Sequence, residues 1–149
     1  MAAPFRLNDT GAASSVHFEL AFDFAAQRGT SLDVSGFAVR EVDCRGFTSP
    51  SDCFEAIGAA FSFPTKNALY AQNANALLDY LTDLNWIEDL RGIVLVLHSG
   101  DVFLARWPYI AGVLIEVWLR AAASWEKDGI PCHLIFDLPV DCSPLPGRL

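Results

Sequence analysis

From Val16 to Phe24 the chain alternates: Val16, Phe18, Leu20, Phe22 and Phe24 fall on one side, His17, Glu19, Ala21 and Asp23 on the other. A period of two predicts a strand with one buried face. Leu32 to Cys44 reads as mostly extended, with Gly36 suited to a bulge. Ser49, Pro50 and Asp52 then mark a helix start. Serine caps, proline fits the first helical position because its missing N–H would lack a partner there anyway, and the acid three residues after the cap closes a capping box. Phe54, Ile57, Gly58 and Phe61 form one apolar stripe, and Pro64 ends the element. A second helix is predicted from about Gln72 to Leu84, with Ala74, Leu77, Leu78, Leu81 and Leu84 turned inward.

Gly92 to Leu97 is a continuous apolar run, as expected of a central strand covered on both faces. Residues 101–107 suit a short helix stopped near Pro108. Ile110, Leu114, Val117, Ala121 and Trp125 mark a long one, with Gly129 as its stop. Cys132 to Phe136 is the last strand. Strands separated by helical crossovers pair in parallel, so the order predicts a small α/β sheet. Residues 1–15 and 139–149, rich in small and polar residues, read as loose ends.

The chain has 149 residues, 52% of them hydrophobic and 19% charged, which suits one folded domain and excludes a disordered chain. Its net charge of −8 argues against nucleic acid, since phosphate binding needs clustered Lys and Arg. It equally disfavours an anionic membrane surface. No secretory signal pattern opens the sequence, so a cytoplasmic protein is expected. Cys44, Cys53, Cys132 and Cys142 include no CxxC pair and are expected as reduced, partly buried thiols rather than metal ligands.

Between Lys66 and Arg91 lie 24 residues with four acids, Asp79, Asp83, Glu88 and Asp89, and no Lys or Arg. Gln72, Asn75, Asp79 and Asp83 are spaced 3, 4 and 4, so they share one polar stripe opposite the leucines. Asp79 and Asp83 repel at i,i+4 by a few tenths of a kcal/mol. Asp83 also meets the negative end of the helix dipole, at a cost of about 0.3–1 kcal/mol. No neighbouring base relieves either conflict. The stripe is either a plain solvated face or a face kept acidic for a partner.

The same segment carries a resemblance. Pro64, then Tyr70-Ala-Gln-Asn73-Ala-Asn75-Ala76-Leu77-Leu78-Asp79-Tyr-Leu81, resembles the barstar family of ribonuclease inhibitors, whose pattern is Pro, then Tyr-Gly-x-Asn-x-Asp-Ala-Leu-x-Asp-x-Leu. The similarity runs from about Val39 to Leu138. It implies a three-stranded parallel sheet packed by about four helices, with residues 1–38 as an extension bearing an additional strand and 139–149 as a tail. It also implies a function: a stoichiometric immunity protein that blocks the basic active site of a toxin ribonuclease. On this resemblance Asp79 takes the place of a substrate phosphate. A carboxylate on a rigid helix satisfies the enzyme's basic donors without offering a bond to cleave. Asn75 stands for the first motif acid and Ala71 for the glycine. Leu69 falls at a position often aromatic in the family, and Leu78 where its best-known member has an aromatic. Asp83, Glu88 and Asp89 are candidate substitute charges.

The expected contact set is therefore Asp79, Asn75, Asp83, Tyr70, Asn73, Leu69, Leu78, Gln72 and Trp86, with no catalytic residue, metal or cofactor. Tyr70 and Trp86 suit either an interface or internal packing. Trp118 and Trp125 fall on the inward stripe of the long helix. His98-Ser99 before Asp101 does not make a nucleophilic triad, because adjacent residues rarely face one another. His17 is expected in solvent and His133 in a structural role. The free protein is expected to be monomeric. The alternative reading is a barstar-fold module for another toxin class or a regulatory protein; an enzyme using Cys or His chemistry is the third.

Overall fold

The fold is that of a computed structural model, which describes residues 15–20, 37–63, 74–85 and 87–138. Four strands, β1 (Ser15–Leu20), β2 (Phe37–Asp43), β3 (Gly92–His98) and β4 (Cys132–Leu138), form one sheet in the order β1-β4-β3-β2. Every pairing is parallel. Helices α1 (Pro50–Ala60) and α2 (Ala74–Asp83) lie between β2 and β3, and α3 (Gly100–Arg106) and α4 (Pro108–Glu126) between β3 and β4. A 3₁₀ turn, Cys44–Gly46, follows β2.

The three expected parallel strands are β2, β3 and β4, and the additional N-terminal strand, β1, extends their sheet to four at the β4 edge. β1 pairs with β4 over six residues, setting Val16 beside Leu134 and Phe18 beside Phe136. The alternation that marked β1 gives it an apolar side matching the apolar side of β4. Residues 21–24 and 32–36 of the expected strands lie outside the described residues, and Cys44 belongs to the 3₁₀ turn instead of the strand.

Alternate strand residues divide the sheet into two faces. Ile93, Leu95 and Leu97 lie level with Cys132, Leu134 and Phe136 on one face. That face joins Phe54, Ile57, Leu77, Leu81, Phe103, Leu114 and Trp118 from the helices in one buried core. The opposite face carries buried Val94, Val96 and Ile135, and with them His17, Glu41, His98, His133 and Asp137.

Local signals set the helix ends. Asp52 accepts from the Thr48 N–H at 2.6 Å and the Ser49 N–H at 3.1 Å, holding its carboxyl below the usual range. Two helices end alike. Phe63 N–H reaches Gly58 O beyond α1, and Ile130 N–H reaches Trp125 O beyond α4, each across a left-handed residue, Ser62 and Gly129 respectively.

Candidate partner-binding face

α2 is fixed from below. Leu77 and Leu81 are fully buried, and Leu84 just beyond them adopts a left-handed φ of 34° that turns the chain away. Tyr80 stacks on Phe63 with ring centroids 4.9 Å apart, tying α2 to the segment after α1. Ala74 and Leu78, expected inward, are only half-buried: they sit at the margin of the stripe and pack on its edge. The Thr82 hydroxyl donates back to Leu78 O and Asp79 O at 3.0 Å, inside the helix, rather than outward.

The outward side holds Asn75, Asp79 and Asp83, all exposed. Asp79 neither turns inward nor forms an ion pair among the described residues, and the same holds for Asp83. Glu88 and Asp89 follow in the next turn, also exposed, so four carboxylates leave this end of the molecule within a short stretch of chain. Leu78 and Asn75 also form one wall of a groove of about 280 Å³, whose other wall is Val113, Glu116, Val117 and Arg120 of α4. Of the expected contact set, the structure thus brings together Asn75, Leu78, Asp79 and Asp83. Leu69, Tyr70, Gln72, Asn73 and Trp86 lie outside the described residues.

Two ionisable clusters on the sheet face opposite the described helices went unread in the sequence. His98 Nδ1 lies 2.9 Å from Asp137 Oδ2, and its Nε2 lies 2.9 Å from Glu41 Oε1. Carboxylates only accept, so both ring nitrogens carry protons and the ring is an imidazolium joining β2, β3 and β4. Burial alone would lower its pKa; the bonds to Asp137 and Glu41 outweigh burial and raise it. His17, expected in solvent, is instead half-buried, its Nε2 3.2 Å from His133 Nδ1. Period-two spacing put these residues on one side of their strands. Which strands are neighbours, and in what register, is what assembles them, and that is not a local property.

The thiols offer no reactive group among the described residues. Cys44, Cys53 and Cys132 are buried thiols. Desolvation pushes Cys44 and Cys132 up to about 12 and Cys53 higher still, keeping all three protonated. Trp118 is buried in the core as expected, and Trp125 is half-buried against it.

The architecture is an α/β domain with its described helices on one side of a parallel sheet and an acidic, solvent-facing helix between β2 and β3. Residues 37–137 match the family described as barstar (barnase inhibitor), and the chain belongs to that family, one of inhibitors rather than catalysts. No curated protein and no solved structure matches it.

Proposed function

We propose that this protein is a cytoplasmic immunity protein, a stoichiometric inhibitor that occupies the basic active site of a toxin ribonuclease with the outward face of α2. The observation behind this reading is Asp79: exposed, without an ion pair among the described residues, on a helix whose other side is locked into the core. A ribonuclease cleft concentrates Arg, Lys and His to stabilise phosphate. A carboxylate already fixed in space meets those donors at little ordering cost. Asn75 supplies hydrogen bonds at one end of the stripe and Asp83 a second charge at the other. No catalytic step is involved.

The test is inhibition of a panel of basic ribonucleases by wild type and by Asp79→Ala. Stranding a buried enzyme cation costs about 3–5 kcal/mol, so the inhibition constant of the variant should rise roughly 10²–10⁴-fold. Equal inhibition by the two proteins removes Asp79 from the mechanism. A second reading, a partner of another class, draws on Asn75, which brings no charge where the motif has an acid. Recovery of a partner without ribonuclease activity on immobilised protein would favour it.

A further inference from the structure

His17 on β1 and His133 on β4 face each other with ring centroids 5.3 Å apart. Only one hydrogen fits between two nitrogens at 3.2 Å, so one ring donates and the other must accept through an unprotonated nitrogen. His133 is fully buried, where a charge loses its hydration. Protonating both rings removes the acceptor and sets two cations against each other at the seam between the strands. Among the described residues β1 is also held by a six-residue parallel ladder, by the stacking of half-exposed Phe18 on Phe136 and by Val16, which packs against the core.

The other side of β4 behaves oppositely. There the His98 imidazolium joins Glu41, Asp137 and its own strand, and acid preserves its charge. Among the described residues, the other charged groups near the pair do not reverse this contrast. On the same face Asp43 is engaged by Arg45 and the Glu19 position lies level with Asp137. At the level of the histidine pair β3 presents Val94 and Val96. The charged residues of α4, Glu116, Arg120 and Glu126, belong to the layer across the sheet, and Arg120 pairs with Glu116.

We infer that β1 is an acid-released edge strand: protonation of the His17–His133 pair detaches Ser15–Leu20 from β4, while the Glu41–His98–Asp137 bridge keeps β2, β3 and β4 joined. This goes beyond the inhibitor reading and does not depend on it, because β1 lies outside residues 37–137. Release bares the hydrogen-bonding edge of β4, which a strand from another molecule can then take.

Burial, and then the charge of His17, hold His133 down to about 4, whereas a released ring titrates at 6.5. Opening is therefore about 30-fold more favourable at pH 5 than at neutral pH. Amide hydrogen exchange on the full chain tests this, with protection factors corrected for the intrinsic rate. Between pH 7.5 and pH 5.0, residues 16–20 should lose protection about 30-fold while 93–97 keep theirs. The double variant His17→Gln/His133→Gln should hold β1 equally at both pH values; if it does not fold, the wild-type series decides alone. Unchanged β1 protection in wild type at pH 5.0, or loss of β1 and β3 together, overturns the inference.

Discussion

The indole Nε1 of Trp125 donates to the main-chain carbonyl of Leu81 at 2.8 Å. The last carbonyls of a helix have no intrahelical donor, so this bond lets α4 satisfy the final turn of α2, the turn that ends in Asp83. Trp125→Phe keeps an aromatic ring and deletes the donor. Urea denaturation should show a loss of about 1–2 kcal/mol. Inhibition should weaken as well, because Asp79 and Asp83 are then presented on a helix with a loosened end.

Asn75→Asp places a third carboxylate on the stripe, one turn from Asp79. Like charges at i,i+4 should cost a few tenths of a kcal/mol in stability. Association with a basic ribonuclease should accelerate, roughly threefold at low salt, because the added charge extends the attractive field. At 0.5 M salt the gain should vanish through screening. Stopped-flow association at the two salt concentrations checks both halves; equal acceleration at high salt would mean a contact effect and not steering.

The fold was legible wherever a feature is local. Ser49, Pro50 and Asp52 announced α1, Gly129 announced the end of α4, and the leucine spacing announced α2, since each depends only on residues a turn or two apart. The place of β1 was not legible. Alternation shows that Val16 and Phe18 share a face, but that they lie beside Leu134 and Phe136 depends on a partner more than a hundred residues away. The same limit hid the Glu41–His98–Asp137 bridge, whose members come from three strands. On the site, the stripe of Asn75, Asp79 and Asp83 followed from helical spacing alone, whereas Leu69, Tyr70, Gln72, Asn73 and Trp86 fall outside the described residues.

Ser62 occupies the left-handed position after α1 with φ of 57°, where Gly129 serves after α4 with φ of 71°. A Cβ in that conformation crowds the following carbonyl, at about 1–2 kcal/mol. Ser62 is exposed, so Ser62→Gly should stabilise the protein by about 1 kcal/mol, partly offset by greater freedom of the unfolded chain. Gly129→Ala, at the equivalent exposed position with open space around the added methyl, should destabilise it by a similar amount. Thermal unfolding of the two variants should move the melting temperature in opposite directions.

The Glu41–His98–Asp137 bridge predicts a pH dependence whose sign is fixed by the proton it needs. Burial pulls the His98 pKa down, but the bonds to Asp137 and Glu41 more than reverse this, so the folded protein holds the proton more tightly than the unfolded chain. The stabilisation is complete below 6.5 and disappears as the pH climbs through the raised value. With 35% of the side chain exposed, water screens the pair with Glu41, and the effect should stay below about 1 kcal/mol. Urea titrations of wild type and His98→Gln at pH 6 and pH 9 measure it: the gap between the proteins should narrow at the higher pH. A gap that widens would mean that the folded ring prefers to be neutral, which is incompatible with both nitrogens donating. His17 and His133 act with the opposite sign, their lowered pKa values withdrawing stability as the pH falls below 6.5. In His98→Gln only that second contribution survives, so its stability should peak at a higher pH than that of the wild type.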